Sequence, residues 1–504
     1  MIKQAFVRKS WKNESKKAIK AKKDSKNVYQ VVLKPGKDRV ESDLNVKPKT
    51  TILSKHESSI ANSIFIHTTD YKDVKAASER KDVIAVIKKP KAVPMGNTGE
   101  IRDTPAYFPT LLQQCTIEQT RTQAGIIDSV GSSDVQVNGK GSLIIVWDFI
   151  PRNKSALNIP EFQDRDGGQI YFYPNGSDAF GSHGTQVASI AGGEVAGLSK
   201  GSALALIGLS DDIFEDLSVI ERLIEDFDGP TIINMSFGLE WSNVNTDLDI
   251  ENIDSFMQFA NQAVADIKLR FPKTLFFIAA GNETQNMCDT LGTLTYTIGN
   301  QTKNKMVIWP QFERNKETPF ISVGATTVSQ TSPTRNIAVY SNYGDCINFF
   351  AHGGAICGWD TDTADYRATQ GTSFSSPVAA SIASLLFSAY PSKTGAEILD
   401  IMNSISKDTV TGQYSEDTTA KFLELPDQLI RDSNAPPAEN NELPGSVLDG
   451  TVDLDKTKDS PSDEAKNEFK TAFIVVAVLL VLSLMFSISI LFSKKKRNMI
   501  RIYK

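Results

Sequence analysis

Between Pro105 and Ile430, runs that are apolar from end to end alternate with segments of helical period. The strand-like runs are Ala124–Ile127, Leu143–Trp147, Ala203–Ile207, Thr231–Asn234, Leu275–Ala279 and Phe320–Val323. The helical segments are Gly184–Ala191, Asp216–Asp226, Ile253–Arg270, Phe374–Tyr390 and Ala396–Ser404. In the third of these Phe256, Phe259, Ala260, Ala263, Val264 and Ile267 fall on one face. A strand without a polar face must be covered on both sides, and intervening helices supply the covers. The pattern therefore predicts an α/β domain built on a mostly parallel sheet. In such sheets sites form at the carboxyl ends of the strands, so chemistry is expected just after the apolar runs.

Gly371-Thr372-Ser373-Phe374-Ser375-Ser376-Pro377 leads into small and apolar residues from Val378 to Leu386. The spacing predicts a helix beginning here, with Pro tolerated in its first turn. Amide groups at that turn lack helical partners, and together with the helix dipole they stabilise an oxyanion formed on a carbonyl attacked by a serine there. The same residues also suit an ordinary capped helix start. A serine nucleophile needs a base beside it, normally a histidine held by a carboxylate. Of the four histidines, His56 and His67 precede the alternating region, and His183 and His352 lie within it. His183 stands in Gly181-Ser182-His183-Gly184-Thr185-Gln186, a loop opening a small-residue helix, where another element can approach the ring closely. A lone histidine is more often structural, and its weight here comes from the serine motif.

The serine motif, the His-Gly-Thr motif and the chain order Asp, His, Ser resemble the subtilases, the subtilisin-like serine proteases. The resemblance implies a subtilisin-like three-layer fold and a serine endopeptidase using a Ser/His/Asp triad through an acyl-enzyme. It makes Ser373 the nucleophile and His183 the general base that later protonates the leaving amine. Asp128 follows Ala124-Gly125-Ile126-Ile127 and precedes Ser129, as the family's triad Asp does, although Val130 intervenes before Gly131. Asp148, which ends Leu143–Trp147 and precedes Phe149, is the alternative; motif context favours Asp128. Asn282, closing Leu275–Gly281, would supply an oxyanion-hole amide; read as structure alone it is a turn residue. Ser236, Phe237 and Gly238 resemble the family's edge segment that pairs with extended substrate by strand addition. The chain departs from the family at Gln186, where a second His is usual, and at His352, where Pro is usual.

Upstream, Val28–Leu33, Ser63–Ile66 and Val83–Ile87 read as strands and Tyr71–Glu79 as a helix, giving a small α+β unit over residues 28–92. It is similar to the inhibitory propeptide of subtilases, with cleavage expected between Lys91 and Thr104, although Lys34–Ala61 matches poorly. Read as structure alone, it is an accessory domain. Residues 1–27 read as a disordered basic tail. The first 50 residues hold 15 Lys/Arg against 5 Asp/Glu without a recognition motif, so a solvated tail is expected and no nucleic-acid partner.

The catalytic domain is expected over residues 105–430, followed by an acidic flexible linker at 434–470. Thr471–Phe492 carries no charge and has the length of a transmembrane helix. Its basic tail, 493–504, predicts a single-pass anchor with the tail in the cytoplasm and the catalytic domain outside. The opening residues are basic without an apolar core and do not read as a secretory signal peptide. Cys115, Cys288, Cys346 and Cys357 have no metal-ligand spacing. No cofactor or metal is required; many subtilases bind calcium, but no calcium-ligand pattern stands out here.

Two further readings belong to other classes. A catalytically silent subtilase-like module would bind peptides or partners at the membrane, but it has no need of the full Ser, His, Asp and Asn set. An esterase-type hydrolase would carry a Gly-x-Ser-x-Gly elbow, which Ser373 lacks, and a different triad order.

Overall fold

In the computed structural model the described residues are 3–4, 27–34, 51–68, 71–94, 137–152 and most of 158–425. The run Ala124–Ile127, Asp128, Cys115, Cys288 and the segments 434–470, 471–492 and 493–504 lie outside them.

After the short strand β1 (Lys3–Gln4), four strands form an antiparallel sheet: β2 (Val28–Leu33), β3 (Thr51–Glu57), β4 (Asn62–His67) and β5 (Val83–Lys88). Their order is β3-β4-β2-β5, and α1 (Tyr71–Ser78) lies between β4 and β5 in sequence. Val31, Leu33, Ile64, Ile66 and Val86 pack with Val74 and Ala77 of that helix. On the other face Val32, Ala85 and Ile87 join a cluster containing Phe214, Leu217 and Phe256 of the larger domain. Burial on both faces explains why these strands read as apolar runs although they are antiparallel. The sequence reading missed β3, where Ser54, Lys55, His56 and Glu57 interrupt any apolar pattern. Strand β6 (Lys91–Pro94) follows.

The larger domain comprises β7 (Leu143–Asp148), β8 (Ile170–Tyr173), α2 (Gly181–Gly192), β9 (Ala203–Gly208), α3 (Ile213–Phe227), β10 (Thr231–Met235), β11 (Phe237–Ser242), α4 (Asp247–Arg270) and β12 (Thr274–Ala279). It continues through β13 (Thr293–Ile298), β14 (Gln301–Ile308), β15 (Ile321–Val328), β16 (Arg335–Ile337), β17 (Phe349–His352), β18 (Ile356–Asp360) and β19 (Asp365–Thr369). It closes with α5 (Thr372–Ala389), α6 (Gly395–Ile405), β20 (Lys407–Thr409) and β21 (Ala420–Phe422). The principal sheet runs β1-β8-β9-β7-β10-β12-β15-β17-β21-β20, with β16 on β15. From β8 through β17 every neighbouring pair on this path is parallel.

Strand periodicity divides the core into two layers of side chains. Ile144 and Val146 of β7 face the cluster made with α2 and α5, whereas Leu143, Ile145 and Trp147 face the cluster made with α3 and α4. Three layers result, with the sheet in the middle, as the end-to-end apolar strands required.

Helix α3 begins three residues before its predicted start because Asp212 caps it, accepting from the Phe214 amide at 3.1 Å. Helix α5 is buried throughout. Among the described helices it alone has the length and apolarity to cross a membrane, but in this fold it is the central core helix. Its serines are tolerated there because they bond: Ser381 donates to the Pro377 carbonyl at 2.7 Å, and Ser384 shares its hydroxyl with Ser142 and Ser199.

Candidate active site

Asp148 is the last residue of β7, at the carboxyl end of a central strand, and is fully buried. Its Oδ1 accepts from the Phe149 amide at 2.6 Å and lies 2.8 Å from His183 Nδ1. An ionised carboxylate only accepts, so this contact places a proton on Nδ1 and leaves the Nε2 lone pair to receive another. Among the described residues His183 Nε2 has no hydrogen-bond partner. Asp128 is outside the described residues, so the carboxylate seen on His183 is the one the sequence reading ranked second. Two signals for it were legible: an apolar run ending on Asp, and the Asp-Phe pair that follows.

His183 sits in the first turn of α2, its ring against Phe149 and Phe374 at centroid distances of 6.2 and 5.7 Å. Gly184 lets the helix come this near. A Cβ there would lie 2.4 Å from the Phe149 carbonyl oxygen, which also accepts the Gly184 amide at 3.2 Å. The Gly of the His-Gly-Thr motif is thus a docking requirement for the helix on the end of β7. Behind Asp148, Trp147 donates to Asp216 Oδ2 at 3.0 Å, and the Ser210 amide donates to the same oxygen at 2.9 Å. Burial pushes the Asp216 carboxyl up to about 8 despite these donors.

Ser373 is the second residue of α5, entered through Gly371 at φ +141°, a conformation that favours glycine. Its hydroxyl donates to the Ser236 carbonyl at 3.0 Å. Phe374, the next residue, is the ring that meets His183, so the two helix starts converge at the strand ends. Asn282 follows β12. Its Oδ1 accepts from the Thr372 amide at 2.9 Å and the Thr372 hydroxyl at 3.1 Å, and Thr372 Oγ1 in turn accepts from the Gly281 amide at 3.0 Å. A backbone N–H can meet only an acceptor, which fixes the carboxamide with Nδ2 on its opposite edge. Thr372 was not singled out by the sequence reading; it had looked like one more cap residue.

Ser236 joins β10 to β11. Phe237 and Gly238 of β11 lie opposite Pro94 and Val93 of β6 in an antiparallel pair that continues through Leu239–Ala92 and Glu240–Lys91. Of the predicted residues, His183, Ser373, Asn282, Ser236, Phe237 and Gly238 therefore share one region, together with Asp148. His352 is buried at the end of β17. Among the described residues no group of three or more His, Cys, Asp or Glu is arranged to hold a metal ion.

The chain is 29% identical over 251 residues to an extracellular serine proteinase of Thermus sp., a match covering 48% of this chain and 50% of that protein. It is 26% identical over 250 residues to the subtilase-type proteinase psp3 of Schizosaccharomyces pombe, covering 45% and 46%. The chain thus spans about half the length of the curated relatives it matches. The crystal structure of fervidolysin from Fervidobacterium pennivorans, a keratinolytic enzyme related to subtilisin, overlaps 84% of this chain and 62% of that one at a TM-score of 0.46 and 15% identity. The model of the Subtilase family matches residues 129–423, more than half of the 504, and spans the strand ends and helix starts just described. With that match over a three-layer parallel sheet, the chain belongs to the subtilase family.

Proposed function

We propose that this chain is a serine endopeptidase made as an auto-inhibited precursor. Ser373 Oγ attacks the scissile carbonyl while His183 Nε2 takes its proton. The tetrahedral oxyanion is held by the Ser373 backbone N–H and Asn282 Nδ2. His183 then returns the proton to the leaving amine, and water releases the acyl group by the same steps. Asp148 takes the carboxylate role first given to Asp128, holding the imidazole tautomer and stabilising the imidazolium. The observation that carries this reading is the sealed contact of 2.8 Å between His183 Nδ1 and Asp148.

Substrate adds to β11 as an extended strand through Ser236, Phe237 and Gly238. The chain supplies its own model of such a strand in β6, which supports reading residues 28–92 as an inhibitory propeptide. Polypeptides are the substrates, and Thr471–Phe492 anchors the protein with its catalytic domain outside the cytoplasm. Cys346 and Cys357 are both disulfide-bonded, which supports an oxidising compartment. The silent-module reading has one point in its favour: the Ser373 hydroxyl is engaged with Ser236 rather than with His183.

Labelling with a fluorophosphonate separates the two readings. The enzyme reading expects wild type to label and Ser373→Ala not to; an unlabelled wild type defeats it. N-terminal sequencing of the same pair tests the precursor, since wild type is expected to lose the N-terminal unit and Ser373→Ala to keep it.

A further inference from the structure

Behind the nucleophile lies a buried line of polar side chains in which Asn234 and Ser376 enter no step above. Asn234, Ser236, Ser373 and Ser376 are all fully buried. Ser376 Oγ donates to Asn234 Oδ1 at 2.7 Å, and Asn234 Nδ2 donates to Ser236 Oγ at 2.9 Å. Ser236 Oγ donates to the Ser373 carbonyl at 2.8 Å, and Ser373 Oγ returns a bond to the Ser236 carbonyl at 3.0 Å. Ser236 and Ser373 thus clasp one another through two reciprocal bonds. The first residue of the substrate-pairing segment is tied to the nucleophile at both its backbone and its side chain.

The direction of this line follows from proton counting. The Ser373 carbonyl can only accept, so the one Ser236 hydroxyl hydrogen lies on it and Ser236 Oγ can only accept from Asn234, which leaves Oδ1 to accept from Ser376. Asn234 is itself held rigidly: in mid-sheet it lies opposite Val146 of β7 and Phe277 of β12. It is enclosed and cannot touch substrate.

We propose that Asn234 is a positioning residue. By setting the direction of the Ser236 hydroxyl it holds Ser373 in register with the substrate strand. This rests on reading Ser373 as the nucleophile.

The test is Asn234→Asp, with rates expressed per fluorophosphonate-labelled site of the processed protein. An ionised Asp only accepts, so it draws the Ser236 hydrogen away from the Ser373 carbonyl. At neutral pH kcat is expected to fall about 10- to 100-fold, the scale of one or two buried hydrogen bonds, with KM little changed. A protonated Asp restores the pattern, its carbonyl accepting from Ser376 and its O–H donating to Ser236. Burial raises the pKa of that carboxyl, so the variant to wild-type kcat ratio should climb as pH falls. His183 and Asp148 are common to both proteins and cancel in the ratio; the residues opposite position 234 on β7 and β12 are uncharged.

Asn234→Ala should show the same loss with no dependence on pH. Ser236→Ala should match it, and the pair Asn234→Ala with Ser236→Ala should be no worse than either alone. A flat ratio for Asn234→Asp, additive losses in the alanine pair, or a lowered Tm with unchanged kcat per labelled site would each overturn the proposal. If Asn234→Asp does not fold, the alanine pair decides. An unlabelled wild type overturns the enzyme reading instead, which keeps the two failures distinct.

Discussion

The principal sheet and the N-terminal sheet differ in what holds them in place. The principal sheet is enclosed by apolar side chains on both faces, and the groups at its strand ends are sealed: Asp148, His183 and Ser373 are all fully buried. The N-terminal sheet shares apolar contacts with the same core, but its rim meets α3 through titratable groups. Gln30 donates to Asp212 at 3.2 Å, His56 Nδ1 lies 2.7 Å from Glu215 Oε2, and Lys89 lies 2.6 Å from Asp211. The Val86 amide donates to Asn252 of α4 at 3.0 Å. Apolar burial is insensitive to pH, whereas a histidine on a carboxylate is not. The rim contacts of the N-terminal sheet therefore respond to proton concentration, which the apolar contacts it shares with the core do not.

The largest effects should come from the sealed region. Asp148→Asn is expected to lower kcat about 10⁴-fold, because the neutral amide no longer enforces the imidazole tautomer. Asp128→Asn should leave kcat near wild type, and steady-state kinetics of the two variants check the assignment directly. Asn282→Ala should cost about 100- to 1,000-fold in kcat with KM little affected, the scale measured for removal of one oxyanion donor in a subtilisin.

A smaller effect, on stability, is expected from Gly184→Ala. Its Cβ would meet the Phe149 carbonyl oxygen at 2.4 Å, and backbone cannot move aside cheaply. Overpacking of this kind costs about 1 to 3 kcal/mol, which a lowered Tm would register.

The smallest effect belongs to the N-terminal rim. Burial alone lowers the His56 pKa, but the hydrogen bond and charge of Glu215, with the charges of Asp212 and Asp211, outweigh it and the net shift is upward. A raised docked pKa means that the His56 contribution is complete below the ordinary histidine value of 6.5 and fades as pH rises through the docked value. Asp212 acts with the same sign: burial pushes it up to about 6, so the cost of keeping its ionised form buried grows as pH rises toward that value. Docking should tighten in acid and loosen toward alkaline pH. Because His56 and Glu215 are partly exposed, the His56 share is expected to be about fivefold at most. Recovery of peptidase activity from the processed but undissociated complex, followed against pH, should lose part of its slope above pH 6.5 in His56→Ala. An unchanged slope would remove pH from the contrast between the sheets.

Much of this molecule was legible before any coordinates. Apolar strands such as Leu143–Trp147, Thr231–Asn234 and Leu275–Ala279 were found within a residue or two, because a strand covered on both faces has no polar positions to blur its ends. Strand β3 was not, because polar residues interrupt its pattern, and one of them, His56, is recruited to a contact with Glu215 of α3. Ser373, His183 and Asn282 were singled out as candidates from local motifs, since each lies where a strand ends or a helix begins.

The chain alone thus determined the fold class and pointed to candidate groups for chemistry, since periodicity and helix-start residues are local properties. Only the tertiary structure decided which carboxylate meets His183, which way the Asn282 amide faces, and that Asn234, outwardly one residue of a buried strand, ties Ser376 to Ser236. Those are contacts between residues 35 to 142 positions apart in sequence. Hydrogen-bond direction across such separations depends on how the layers pack, which no local pattern encodes.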